Sequence, residues 1–212
     1  MIRAARVPIL HVVTDDSVLS RAEFLPRARE VLEAGGAEVA LHLRGPSTEG
    51  GRLYQLARAL LPDALTAGAW LVVNDRVDVV ACVGAHAVQL GQRSLPVEEA
   101  RRLLGIDPAI GVSVHSADEA VAARGADFLL VGTLFVTPSH PGRTGAGPDL
   151  LDQVGAAAPG TPRIGIGGIT PERLSLLTEA GAHGFAVLRG VWGERAPAGA
   201  VERYLTRWHG TA

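Results

Sequence analysis

Short apolar runs recur along the chain at nearly even spacing: Ile9–Val13, Glu38–Leu43, Trp70–Val73, Ala87–Leu90, Ala109–Val114, Asp127–Val131, Arg163–Gly167 and Gly184–Leu188. Most are close to continuous in Val, Ile, Leu and Ala. Strands that alternate apolar and polar have one wet face, whereas continuous ones are covered on both faces, as in parallel sheets. Between the runs the spacing changes to that of helices. Leu25, Ala28, Val31 and Leu32 form one apolar stripe, and Leu53, Leu56, Ala57, Leu60 and Leu61 form another.

Four of the gaps end in Gly-Ala just before the next strand, at Gly36-Ala37, Gly84-Ala85, Gly125-Ala126 and Gly181-Ala182. A glycine closing a helix, followed by a small residue entering a strand, explains the repeat. Eight strand–helix units predict an α/β fold, a single (β/α)8 TIM barrel spanning residues 1–212; a five-stranded open sheet would leave three strands without a place. The length, 212 residues, agrees with one domain. The one long irregular stretch runs from Thr133 to Pro148, and loops of that length are usually functional.

In such a barrel the strand C-termini carry the chemistry. They bring together Thr14, Asp15 and Asp16, then Arg44, Asn74 and Asp75, Gln89 and Gln92, and Ser113 with His115 and Ser116. Thr133, Gly167 and Gly168, and Arg189 with Gly190 complete the set. Histidine as a residue type can take and give a proton near neutral pH, which makes His115 the candidate general acid/base; Ser116, with Asp118 and Glu119 after it, reads equally as a helix cap. Ile164-Gly-Ile-Gly-Gly-Ile169 before Thr170-Pro171 reads as strand, glycine turn and helix start, the place where backbone N–H groups meet a phosphate. Asp15, Asp16 and Asp75 are expected to cap helices. Arg44 is expected to face an anion. His42, His86, His140 and His183 show no metal-ligand spacing and are expected to be ordinary polar positions, and Cys82 is expected to pack in the core with Val79, Val80 and Val83.

Composition narrows the chemistry. The formal charge is −2, which leaves no basic excess for a nucleic-acid backbone or an anionic membrane. All 20 basic residues are arginine. A guanidinium cannot form a Schiff base and does not replace the P-loop lysine, so lysine aldolases and P-loop kinases are excluded. The lone cysteine and the lack of a signal-like segment predict a cytoplasmic protein, compatible with a homo-oligomer.

With these residues in place, the sequence resembles the thiamine phosphate synthase / TenI family of barrels over nearly its whole length. The matching stretches are HVVTDD (11–16), LHLRG (41–45), LVVNDRVDVV (71–80), AVQLGQ (87–92), GVSVHSADEA (111–120), ADFLLVGTLFVTP (126–138), IGIGGITPERL (164–174) and GAHGFAVLRGV (181–191). The resemblance implies one of two activities. The synthase joins a pyrimidine diphosphate to a thiazole phosphate with Mg²⁺, using lysines and an aspartate where this chain has Pro46, Ser94 and Thr137-Pro138-Ser139-His140. These departures favour the TenI branch, thiazole tautomerases that need neither metal nor cofactor. There the resemblance makes His115 the acid/base. It gives a thiazole phosphate to Gly167, Gly168, Arg189 and Gly190, with Arg44, Asn74, Gln89 and Thr137 lining the pocket. A synthase remains the alternative, and a non-catalytic thiazole phosphate-binding barrel is a further one.

Overall fold

The computed structural model describes residues 6–137 and 144–211. Eight parallel strands close into a ring in sequence order: β1 (Leu10–Val13), β2 (Val39–Leu43), β3 (Trp70–Asn74), β4 (Ala87–Leu90), β5 (Ala109–Val114), β6 (Phe128–Gly132), β7 (Arg163–Ile166) and β8 (Gly184–Val187). Closure comes from β1 pairing with β8, Leu10 opposite Phe185 and Val12 opposite Val187. The (β/α)8 barrel expected from the eight apolar runs is the fold observed, and each strand lies within a residue of its run.

The helices outside the ring are α1 (Asp16–Leu19), α2 (Phe24–Gly35), α3 (Gly50–Ala67), α4 (Val77–Val83), α5 (Val97–Leu104), α6 (Ala117–Ala122), α7 (Asp149–Ala157), α8 (Leu174–Glu179), α9 (Arg189–Trp192) and α10 (Pro197–His209). Their caps follow local chemistry. The Asp15 carboxylate accepts from the Val18 N–H at the start of α1, and the Ser116 hydroxyl accepts from the Glu119 N–H at the start of α6. Gly84 ends α4 in the left-handed region at φ 75°, where a side chain would be strained.

The two faces of each strand serve two cores. Outward side chains such as Leu10, Leu41, Leu71, Val88 and Leu129 pack under the helices in one continuous layer. Inward ones, including Val13, Trp70, Val72, Phe128, Leu130 and Ile164, fill the barrel itself. Phe128 is wholly buried there, and burying a side chain of that size contributes roughly 2–3 kcal/mol. Two histidines, His11 and His42, are also wholly buried in this interior. The expectation that His42 takes an ordinary polar position is therefore corrected: the inward phase of β2 aims it at the barrel axis.

Cys82 is a second correction. It is exposed, while Val77, Val79 and Val80 are the residues of α4 that face the core. A seven-residue helix with four valines has too little polar contrast for sequence to set its phase. Among the described residues no helix is long and apolar enough to cross a membrane.

Candidate functional site

The strand C-termini are knitted together before any ligand is considered. The Thr14 hydroxyl, after β1, accepts from the Arg44 N–H at 2.8 Å and reaches the His42 and Arg44 carbonyls at 2.9 and 3.0 Å, one of which takes its proton. This clamps the backbone from which Arg44 rises. Arg44 is half-buried, and among the described residues its guanidinium has no hydrogen-bond or ion-pair partner. Asp16 is no simple cap: its carboxylate accepts from the Ser47 N–H and the Thr48 hydroxyl, at 3.0 and 2.7 Å, and so ties the first loop to the second. Asp15 caps as expected. Burial alone would raise its carboxyl, but hydrogen bonds from Ser17 and Val18 outweigh this and hold it below the usual carboxylate range.

At the ends of β3 and β4 the expectation of a helix cap fails. Asp75 has φ 62°, uncommon for a non-glycine residue, and its carboxylate turns away from α4. Its Oδ1 accepts from the Gly91 N–H at 2.9 Å and from the Ser94 hydroxyl. The neighbouring Arg76 is taken by Asp78, at 2.5 Å. Gln89 lies deeper than a pocket wall, wholly buried, with Nε2 donating to the Ser113 hydroxyl at 3.0 Å. Its Oε1 has no hydrogen-bond partner among the described residues.

His115, directly after β5, is held by a residue that sequence reading assigned only to the helix start. One oxygen of Glu119 accepts from the His115 backbone N–H at 2.7 Å and from its ring Nδ1 at 3.0 Å. The same oxygen receives Nε2–H of Gln92 at 2.9 Å, and Gln92 also donates to the Ser113 carbonyl. A carboxylate only accepts, so Nδ1 carries a proton, and in the neutral ring the lone pair is on Nε2. The ring is about half exposed, its side chain 46% accessible. The Ser-x-x-Glu pattern at 116–119 is the signal that could have found Glu119, since it marks a carboxylate that reaches back over the helix start.

The glycine turn after β7 sits against the loop after β6. Phe135 N–H donates to the Gly167 carbonyl at 3.1 Å, and Leu134 N–H to that of Ile166 at 2.9 Å. Gly167 and Gly168 have φ 102° and 64°, and a Cβ on Gly168 would lie 2.8 Å from the Val136 carbonyl oxygen. Glycine is therefore required twice over. Arg173 donates to the Gly168 carbonyl at 2.6 Å and lies over the Phe135 ring. The next loop joins this one through Tyr204, whose hydroxyl donates to the Ile169 carbonyl at 3.1 Å and fills the space beside Gly190. Arg189 is exposed at the start of α9, and Thr137 is half-buried at the edge of the described loop. Pro138, Ser139, His140 and Arg143 lie outside the described residues.

Shallow clefts of about 230 and 340 Å³ open at the other end of the barrel, near Gly125 and Arg163. Arg163 there donates to the Leu151 and Gly181 carbonyls. The polar convergence is at the strand C-termini, and with the glycine turn it defines the class: a (β/α)8 barrel whose strand C-termini gather arginines, a carboxylate-held histidine and a paired-glycine turn.

The chain belongs to the thiamine monophosphate synthase family (TMP-TENI), whose model matches residues 10–191. It is 40% identical to the thiamine-phosphate synthase of Chlorobium luteolum over 193 residues, 90% of this chain and 88% of that one. It is 48% identical over 141 residues, 65% of this chain, to the bifunctional thiamine biosynthesis protein ThiM/ThiE of Symbiobacterium thermophilum, of which it spans only 29%. Among solved structures it superposes on thiamine phosphate pyrophosphorylase from Pyrococcus furiosus with TM-score 0.81 and 28% identity, covering 96% of both chains.

Proposed function

We propose that this member of the family is a thiazole tautomerase, converting an ylidene carboxythiazole phosphate to its aromatic isomer by metal-free proton transfer. The observation that carries the choice is at Asp75. The synthase reading places a second carboxylate where this chain has Ser94, and the Ser94 hydroxyl donates to Asp75. Asp75 is then a lone carboxylate already accepting two hydrogen bonds, so an Mg²⁺ here would depend on it and on the substrate diphosphate, with no second protein carboxylate. No lysine is present to grip a diphosphate.

In this mechanism Nε2 of His115 removes the proton from the ring carbon bearing the carboxylate. The electron pair moves through the ring, and the same nitrogen returns the proton to the exocyclic carbon. No atom is gained or lost, and aromaticity drives the step. Glu119 keeps Nδ1 protonated and faces the imidazolium while it exists. A substrate with a phosphate and a carboxylate carries about three negative charges, which Arg44, Arg189 and the Gly167-Gly168 turn would meet.

The second reading, thiamine-phosphate synthase, is favoured by the names of the relatives. One experiment separates the two. Purified protein is mixed with the ylidene carboxythiazole phosphate in EDTA, and separately with pyrimidine diphosphate, thiazole phosphate and Mg²⁺. Rapid ultraviolet change in the first mixture, abolished by His115→Asn, supports the tautomerase; product only in the second overturns it.

A further inference from the structure

The mechanism leaves unused a chain of polar groups buried along the barrel axis. His11 Nε2 lies 3.1 Å from the Pro8 carbonyl oxygen, His11 Nδ1 lies 2.8 Å from His42 Nε2, and His42 Nδ1 lies 3.2 Å from the side-chain oxygen of Asn74 at the mouth. Each contact needs one proton between its atoms, so the chain as drawn needs three. Two neutral imidazoles supply two.

The third proton would make one ring an imidazolium. Both rings are wholly buried, the Phe128 ring lies tilted against His11 with centroids 5.2 Å apart, and among the described residues no carboxylate bonds either ring. Burial and the neighbouring rings hold His11 well below its ordinary value, and burial holds His42 at about 4 despite its bond to Asn74. The other titratable group facing the pair, His183, is spent on the Val7 carbonyl. The count therefore has to be met from the other end.

The Pro8 carbonyl can only accept, so His11 must be protonated at Nε2. His11 Nδ1 then accepts from His42 Nε2–H, and His42 Nδ1 is left with a lone pair. A half-turn of the Asn74 amide, which exchanges its oxygen and nitrogen in place, satisfies that lone pair. We propose that His42, braced by His11, is a positioning residue that holds the Asn74 amide nitrogen to itself and leaves the Asn74 carbonyl oxygen for the ligand. Asn74 then presents an acceptor at the mouth, suited to a donor N–H or O–H and unsuited to a ring nitrogen, carboxylate or phosphate that only accepts. That final step rests on the reading of this mouth as the ligand site; the tautomers of the histidines do not.

The test is nitrogen-15 NMR of the labelled protein at pH 7, with His11 and His42 assigned through leucine variants. Both rings should be neutral with the proton on Nε2. A proton on Nδ1 of His42, or an imidazolium, overturns the proposal whatever the activity of the protein. Asn74→Asp places acceptors at both ends of the chain and should recruit the third proton, giving one imidazolium; two neutral rings there count against it. For the ligand step, His42→Leu frees the Asn74 amide to turn an N–H toward the mouth and should tighten calorimetric binding of aromatic carboxythiazole phosphate, whose polar atoms only accept, about fivefold, the gain of one hydrogen bond. Unchanged binding, with the tautomers as expected, overturns the role of Asn74 alone.

Discussion

Removing the carboxylate behind His115 tests the proton-transfer reading more finely than removing the histidine. In Glu119→Ala the oxygen that receives three donors, at 2.7, 3.0 and 2.9 Å, disappears. Only the Nδ1 contact acts on the ring, and it is partly exposed on both sides, 46% for His115 and 37% for Glu119. Solvent screens such a pair to about 1 kcal/mol, and the freed ring also spends time as the tautomer with no lone pair on Nε2. Together these predict a drop in kcat of about five- to tenfold, at roughly 1.4 kcal/mol per decade, with KM unchanged. Glu119→Gln keeps an acceptor without the charge and should fall between alanine and wild type, while His115→Asn should lose about 10²–10⁴. The assay is stopped-flow absorbance during aromatisation, with thermal melts to show that loss of a first-turn acid costs the fold no more than about 1 kcal/mol. Undiminished kcat in Glu119→Ala, or a loss lying wholly in KM, refutes the role given to this carboxylate.

Other outcomes follow from the same geometry. Gly168→Ala meets the Val136 carbonyl at a positive φ and should destabilise the protein by roughly 1–3 kcal/mol in urea melts, with weaker phosphate-ligand binding. Stability should fall as pH drops from about 6.5 toward 4, because the unfolded chain protonates His11 and His42 while the folded barrel keeps them neutral. The slope from these two reaches about 2.7 kcal/mol per pH unit in that window, and His42→Leu should remove about half of it in urea midpoints taken at pH 7, 6 and 5. Chelating divalent ions should leave tautomerisation unchanged; loss of rate in EDTA that Mg²⁺ restores would return the weight to the synthase.

The strands were readable because parallel strands covered on both faces leave continuous Val, Ile and Leu runs, and the glycines ending helices mark the joints. That same continuity hid the barrel interior. In HVV and LHL both neighbours of the histidine are apolar, so nothing in the sequence says which face turns inward, and only the paired register of β1 and β2 brings His11 to His42. Asp75 was misread because a carboxylate ahead of a helix normally caps it, whereas here a left-handed backbone turns it toward Gly91 and Ser94. That His115 and the glycine turn stand at strand C-termini was readable from position alone. Glu119 needed the extra knowledge that the end of β5 and the first turn of α6 are close enough for one oxygen to reach backbone and ring together.

Closure of the ring between β1 and β8 also sets a clock. The Trp192 indole N–H donates to the Val13 carbonyl across 179 residues of sequence, and Arg21 reaches the Trp192 carbonyl across 171. Contacts so distant along the chain form late in folding, since their loop entropy must be met before they return anything. A species with β2 to β6 paired would already hold His115 against Glu119, yet lack the glycine turn and Arg189. It would also carry unpaired strand edges open to a neighbouring molecule. In such a species His115 would stand in place before the glycine turn and Arg189 did, with those strand edges still uncovered.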